Sequence, residues 1–196
     1  FDQPDSKINV LSSSSLAELE AMIAQLKTMQ DLKGLLIASA KPDVFIAGAD
    51  IREIENLKSH SDTEAIVRKG QDILNALERL SVPTAALING VSLGGGLELA
   101  IACDYRLAGF DSKVKLGLPE VKLGIIPGFG GTKRLARLVG LRKALEMILS
   151  GDPVSSSEAL KIGLVDKLAS QNRLLEEGIR LLTERKIKRN IFKPKL

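Results

Sequence analysis

Residues 83–127 read PTAALINGVSLGGGLELAIACDYRLAGFDSKVKLGLPEVKLGIIP, and the rest of the chain is best interpreted outward from this stretch. Its apolar run 84–88 is typical of a buried strand. Three glycines, 94–96, follow, and the apolar segment 97–103 after them predicts a helix. Because glycine has no Cβ, main-chain N–H groups at this turn can approach a ligand closely. The unsatisfied N–H groups and the positive dipole end of the helix would point to the same place.

Two acidic residues accompany these glycines. Glu98 lies inside the apolar helical segment, between Leu97 and Leu99, where a carboxylate is costly unless it is paired or used. Glu120 follows Pro119 in a second glycine-rich segment. Taken singly, Glu98 could form a buried salt bridge or face outward, and Glu120 could be a helix-start acid favoured by the dipole. Two carboxylates beside anion-stabilising amides favour acid–base chemistry on a carbonyl compound.

Composition indicates one globular domain. With 196 residues, 44% hydrophobic and 27% charged, the chain can bury a sizeable core. The single cysteine, Cys103, excludes an internal disulfide and a cysteine metal cluster, and the single histidine, His60, limits metal sites and catalytic triads. The net charge of +4 comes from residues 185–196, which hold six Lys/Arg and no acid, whereas residues 1–184 carry 22 basic and 24 acidic side chains.

The basic tail 185–196 is most simply a solvated segment or the start of a linker, and nucleic-acid contact is the minority interpretation. Aromatic residues make up 3% of the chain and Trp is absent, which argues against base stacking on single-stranded nucleic acid. No apolar run has the length of a membrane span, and no signal peptide is visible. Because the chain starts with Phe1, we expect a piece of a longer protein whose first strand is cut short.

Alternating strand and helix patterns predict an α/β fold. The apolar spacing predicts helices over about 16–29, 51–57, 62–80, 97–103, 131–139, 142–149, 155–162 and 172–184. Short apolar runs predict strands over 34–39, 44–46, 84–88, 104–108, 114–116 and 164–168, with 7–11 as the end of an earlier strand. Hydroxyl and carboxylate side chains at 12–15, 50 and 155 are expected to cap helices.

The main rival interpretation is a serine hydrolase. The sequence from Gly90 to Gly94, GVSLG, matches the G-x-S-x-G pattern between a strand and a helix. In that fold the catalytic histidine follows the serine, but no histidine follows Ser92, and His60 lies before it in a polar stretch. Neither glycine cluster matches a Walker A sequence or a clean G-x-G-x-x-G. A serine nucleophile and these two ways of binding phosphate are therefore disfavoured.

Four segments together resemble the crotonase (enoyl-CoA hydratase/isomerase) superfamily, in its order and spacing, over about 7–184. They are FIAGADI (45–51), NGVSLGGGLEL (89–99), LPEVKLG (118–124) and IPGFGGTKRL (126–135). The resemblance implies a crotonase-like spiral of repeated ββα units in domain 1–184, with 185–196 as tail or linker. Within the superfamily, the chain looks most like the N-terminal hydratase portion of a multifunctional α-subunit of fatty-acid β-oxidation.

The resemblance also assigns roles to residues, all of them expectations. It implies that the backbone N–H groups of Ala49 and Gly95 form an oxyanion hole for a thioester, and that Glu98 and Glu120 are catalytic. Residues expected to contact the acyl-CoA substrate are Ala47, Gly48, Asp50, Ile51, Gly94 and Gly96. No metal is expected, and no cofactor other than the coenzyme A of the substrate itself.

The implied reaction is hydration of a trans-2-enoyl-CoA, with Glu98 activating water and Glu120 delivering a proton to C2. Glu120 could also shuttle a proton between C2 and C4, giving Δ3–Δ2 isomerisation, so an isomerase alone remains an alternative. A non-catalytic binding module is the third possibility. The implied partners are a fused or associated 3-hydroxyacyl-CoA dehydrogenase domain, a thiolase and further copies of the chain. The implied compartment is the cytoplasm in a bacterium, and the mitochondrion or peroxisome in a eukaryote.

Overall fold

Eight strands form two four-stranded sheets in residues 1–56 and 59–184, the parts of the chain that the structure, a computed structural model, describes. The strands are β1 Leu35–Ile37, β2 Val44–Ile46, β3 Thr84–Ile88, β4 Val91–Leu93, β5 Tyr105–Gly109, β6 Lys115–Gly117, β7 Val154–Ser155 and β8 Lys167–Ala169. One sheet has the order β1-β3-β5-β8 and is parallel throughout. The other has the order β2-β4-β6-β7 and is parallel except between β6 and β7.

Helices connect these strands in a repeating pattern. They are α1 Ser13–Thr28, α2 Ile51–Glu55, α3 His60–Glu78, α4 Gly95–Ala102, α5 Gly131–Val139, α6 Leu141–Ser150, α7 Ser156–Lys161 and α8 Leu174–Glu184, with short 3-10 helices at Pro119–Leu123 and Gln171–Arg173. Three turns, which contain β1–β2, β3–β4 and β5–β6, place one strand in each sheet before helices return the chain, whereas α7 separates β7 from β8 in the last turn. The α/β class and the predicted spiral of ββα units are confirmed.

Several helix starts follow directly from local sequence. The Ser12 hydroxyl accepts a hydrogen bond from the Ser15 N–H in a capping box, and the Asp50 carboxylate accepts one from the Arg52 N–H. At the start of α7, Ser155 accepts from the N–H of Glu158. These predicted caps are confirmed, and the helix ends lie within a few residues of those expected from the apolar spacing.

Two predicted strands are wrong in extent. Residues 7–11 do not form a strand; Leu11 makes one parallel bridge with Ala49, and the Asn9 side chain bonds this segment to the Phe45 carbonyl. The predicted strand 164–168 begins only at Lys167, because the N–H groups of Leu164 and Val165 donate back to the Ala159 carbonyl in α7. The short strands β4 and β7 were not predicted. The basic tail 185–196 lies outside the described residues.

The helix α4 lies at the centre of the molecule. It packs against α3, α5 and strands of both sheets, and all eight of its residues are buried. Strand β3 is buried at all five positions, as expected for a parallel strand covered on both faces. Because α4 is covered on all sides, any polar side chain on it must be satisfied in the interior. This is the environment of Glu98.

Candidate active site

The chain segments that follow β2 and β4 lie side by side, because these neighbouring strands are parallel and end at the same edge of the sheet. A Cβ added to Gly94 would lie 3.7 Å from the Gly48 Cα. Gly48 has φ +123° and Gly94 has φ +49°, so both backbones occupy the left-handed region that favours glycine. The two glycines thus let two main-chain segments meet without side chains between them.

Two main-chain N–H groups at this meeting point have no acceptor among the described residues. The Leu11 N–H donates to the Gly48 carbonyl at 2.8 Å, and the Leu11 carbonyl accepts from the Asp50 N–H at 3.1 Å. Because Gly48 and Asp50 both face Leu11, the N–H of the intervening Ala49 points to the opposite side. Gly95 is the first residue of α4, so its N–H has no intrahelical partner, and Gly94 before it has no side chain to cap the helix. These are the two amides assigned above to an oxyanion hole.

The Glu98 carboxyl is 2% exposed and is fixed by main-chain donors. Its Oε1 accepts hydrogen bonds from the Phe129 N–H at 2.8 Å and the Gly131 N–H at 2.7 Å. Its Oε2 accepts none from the residues the structure describes. Burial raises the pKa of Glu98 to about 7, and the charge of Glu120 adds to this rise, whereas the two amides and Arg134 oppose it.

The Glu120 carboxyl approaches the same region from the 3-10 helix. A Cβ added to Gly94 would lie 3.2 Å from Glu120 Oε1. The other oxygen, Oε2, is buried and has no hydrogen-bond partner in the described structure. Burial raises the pKa of Glu120 above its ordinary value. A buried carboxylate oxygen without a partner is costly in a stable core, so its retention points to use by a ligand or a reaction.

The remaining expected contact residues differ in what the structure shows of them. The Ala47 N–H donates to the Asn9 carbonyl at 2.8 Å and is occupied. A Cβ added to Gly96 would lie 2.2 Å from the Ile46 carbonyl oxygen, so Gly96 allows α4 to pack on β2. Asp50 caps α2, as described, and the side chain of Ile51 is 48% exposed beside it. Contact of these residues with the acyl-CoA substrate stays a prediction.

The serine-hydrolase interpretation finds no support in this geometry. Ser92 is 0% exposed on β4, and its hydroxyl has no hydrogen-bond partner in the described structure. His60 is exposed at the first residue of α3. Ser92 therefore lacks the general base and the access that a nucleophile needs.

Sequence reasoning missed the residues that hold Glu98. The amides of Phe129 and Gly131 belong to the glycine-rich segment 128–131, which was disfavoured as a phosphate-binding loop and counted within the family segment 126–135, but was not connected with Glu98. A Cβ added to Gly131 would lie 2.8 Å from Glu98 Cγ, which explains the glycine there. A glycine cluster directly before α5 was the available signal, but its partner lies 31 to 33 residues earlier in the chain.

Comparisons with known proteins identify the family of this chain. The sequence model of the enoyl-CoA hydratase/isomerase family matches residues 1–192, and the chain belongs to this family of crotonase-type enzymes. Among solved structures, an enoyl-CoA hydratase from Bacillus anthracis is 35% identical with a TM-score of 0.83; the match covers 89% of this chain and 67% of that one.

Two further structures extend the comparison. An enoyl-CoA hydratase from Geobacillus kaustophilus is 34% identical with a TM-score of 0.87, covering 93% of this chain and 69% of its own. Pseudomonas aeruginosa DspI is 31% identical with a TM-score of 0.85, covering 93% and 72% respectively. In the described residues, no group of three or more His, Cys, Asp or Glu could hold a metal ion, and no helix is long and apolar enough to cross a membrane.

Proposed function

We propose that the protein hydrates trans-2-enoyl-CoA thioesters to 3-hydroxyacyl-CoA. The observation that supports this most is the pair of buried carboxyls, Glu98 and Glu120, with raised pKa values beside two amides that lack acceptors. Hydration of a conjugated thioester needs a base, an acid and a stabiliser for negative charge on the thioester oxygen, and this set of groups supplies all three.

The amides of Ala49 and Gly95 act on the thioester. When water attacks C3, electron density moves through C2 onto the thioester oxygen, which becomes enolate-like. Two fixed N–H donors and the N-terminal dipole of α4 stabilise that charge, because they are oriented before the reaction starts. Losing one such donor typically costs about 10²–10³ in rate.

The two carboxyls move the protons. Glu98 keeps Oε1 on its two amide donors and presents Oε2 to the water, whose proton it takes as the C3–O bond forms. Glu120 must be protonated in the complex with substrate for this step, and its proton goes to C2. C3 thus gains a hydroxyl group and C2 gains a proton. Proton exchange between the two carboxyls and solvent then restores the starting state. One carboxyl ionised and the other protonated is the state expected of a coupled pair that shares a site.

Isomerisation between Δ3 and Δ2 enoyl-CoA is a second activity of the same site. The unpartnered Oε2 of Glu120 favours it, because one free carboxylate oxygen can take a proton from C2 or C4 and return it to the other. This reaction needs the amides and Glu120 but no water, so Glu98 would be dispensable for it.

The wider setting remains part of the proposal. We place the reaction in fatty-acid β-oxidation, with a fused or associated 3-hydroxyacyl-CoA dehydrogenase and a thiolase as partners. The reaction uses no cofactor beyond the coenzyme A of the substrate. A non-catalytic module that binds nucleic acid through residues 185–196 is the competing function, and deletion of that segment would abolish such binding.

The test is hydration of a short or medium trans-2-enoyl-CoA, followed as loss of the conjugated-thioester absorbance. Glu98→Gln and Glu120→Gln should each abolish hydration, whereas only Glu120→Gln should abolish isomerisation. Glu177→Gln, a change at another buried glutamate that is engaged in salt bridges on α8, should leave both activities intact. Full hydration by Glu98→Gln would contradict the role of Glu98, and absence of any turnover by the wild-type chain would favour the binding module.

A further inference from the structure

The segment 128–131, which supplies both amides to Glu98, is held on its other side by a side chain with no part in the proposed chemistry. Gln71 Nε2, on α3, donates to the Gly128 carbonyl at 2.7 Å. That carbonyl and the Phe129 N–H belong to one peptide group. Gln71 and Glu98 therefore bind opposite ends of the same peptide, and each bond polarises the peptide in the sense that strengthens the other.

Arg134, on α5, holds the next peptide. It is 6% exposed, and its Nη1 donates to the Phe129 carbonyl at 2.7 Å. The guanidinium is itself anchored to α3, through Nη2 to Asn75 Oδ1 at 2.7 Å and through Nε to Glu78 Oε2 at 3.1 Å. A Cβ added to Gly130 would lie 2.5 Å from Nη1, so the segment rests directly on the guanidinium.

The second amide donor is restrained in the same way. The Gly131 N–H that binds Glu98 shares a peptide with the Gly130 carbonyl. That carbonyl accepts the first helical hydrogen bond of α5, from the Arg134 N–H, at 3.1 Å. Both peptides that bind Glu98 are thus fixed at their carbonyl ends, one by Gln71 and one by the backbone of Arg134.

We propose that Arg134 is a positioning residue: it ties the segment 128–131 to α3 and thereby orients the Glu98 carboxyl for reaction. Gln71 assists it at the adjacent peptide. The inference rests on the proposed function for its catalytic consequence, since it assigns to Arg134 the placement of the group that activates water. Arg134 does not bond to Glu98 and acts through the main chain.

Charge supports the geometry. The charge of Arg134 lowers the pKa of Glu98, against burial and the charge of Glu120, which raise it. Strands β2, β3 and β4, which also pack on α4, carry no titratable side chain. On β5, Arg106 is turned to Asp166, and on α3, Glu78 pairs with Arg134 itself. Arg134 is the positive charge that acts on Glu98 from these elements.

A buried arginine can also be purely structural, and the chain contains a matched example. Arg106 is 3% exposed, donates to the carbonyls of Leu164 and Cys103, and pairs with Asp166 at 2.9 Å. It has the same chemistry as Arg134 but no contact with the segment 128–131. Arg106→Lys therefore measures what loss of a buried guanidinium costs when the active site is not involved.

The experiment compares Arg134→Lys, Arg134→Met and Arg106→Lys. Both lysine variants should melt at lower temperature, but only Arg134→Lys should lower kcat, on the order of tenfold, because a slightly misplaced base loses rate more than affinity. Arg134→Met should raise the titration midpoint of Glu98, because the guanidinium charge lowers the pKa of this carboxyl. The midpoint is measured without an activity assay. It is the pH around which the difference in unfolding free energy changes between each protein, wild type or Arg134→Met, and the same protein carrying Glu98→Gln.

Gln71→Met provides a milder variant if Arg134→Met does not fold. It removes one donor to the Gly128 carbonyl and should lower kcat about fivefold with KM unchanged. The proposal is overturned if Arg134→Lys and Arg106→Lys change kcat equally, or if the Glu98 midpoint stays fixed in Arg134→Met. A moved midpoint in a chain that hydrates no enoyl-CoA would support the positioning role while refuting the proposed function.

Discussion

Replacing Glu98 by Gln should stabilise the protein at alkaline pH while abolishing hydration. The structure places a carboxyl with a pKa of about 7, against an ordinary value of 4.5, in a position that is 2% exposed. A difference of 7 − 4.5 = 2.5 units corresponds to about 3 kcal/mol, at about 1.4 kcal/mol per unit. Glutamine keeps an oxygen that accepts from the Phe129 and Gly131 amides but has no charge to bury.

The sign of the effect follows from proton linkage. The folded-state pKa of Glu98 is raised, so its contribution to stability is fully present below pH 4.5 and is lost as the pH rises through about 7. The free energy of unfolding of wild type should therefore decrease relative to that of Glu98→Gln, by about 2 kcal/mol between about pH 5.5 and 8. Urea unfolding of both proteins at several pH values measures this difference directly.

Glu177 provides a control of opposite sign. It pairs with Lys167 and Arg180, and the hydrogen bond from Lys167 is the main cause of its lowered pKa. Its contribution to stability is present above the unfolded pKa and is lost as the pH falls, so Glu177→Gln should be less stable than wild type at neutral pH. Parallel stability curves for wild type and Glu98→Gln between pH 5 and 8 would refute the reasoning about Glu98.

Two further predictions concern geometry and pH. Gly94→Ala should cost about 1–3 kcal/mol from its positive φ and also reduce hydration, because the added Cβ lies 3.2 Å from Glu120 Oε1. Gly124→Ala, at φ +73° with nothing within 4 Å, is the matched control and should lose stability without losing turnover; equal kinetic losses in both would argue against the contact. Hydration kcat/KM should rise with pH towards about 7 as Glu98 ionises, and a flat acid limb would contradict its role as base.

The fold was largely predictable because its central elements have local signals. The apolar run of β3, the glycine turn and the apolar helix α4 are contiguous in sequence, so a single stretch predicts a buried strand–turn–helix with an acid inside it. Strand β4 was missed because three residues between glycines are too few to show a period. Residues 7–11 were misjudged in extent because their main chain bonds to residues 47–50 only at Asn9 and Leu11, which gives a single bridge rather than a strand.

The candidate site was predictable only in part, for a related reason. Glu98 and Glu120 stand out because each is an acid in an apolar or glycine-rich setting, which one window of sequence reveals. The groups that hold Glu98 do not stand out. The Phe129 amide reaches it across 31 residues, and Gln71 reaches the segment 128–131 across 57. Contacts of this range arise from how α3, α4 and α5 pack and leave no local pattern.

The central claim is that Glu98 activates water and Glu120 protonates C2 of a thioester held by the amides of Ala49 and Gly95. A crystal structure of the chain with a bound 3-hydroxyacyl-CoA tests it most directly. The thioester oxygen should accept hydrogen bonds from both amides, and the 3-hydroxyl should lie about 2.6–3.2 Å from Glu98 Oε2, with C2 facing Glu120. A thioester bound away from these amides, or a 3-hydroxyl out of reach of Glu98, would contradict the claim.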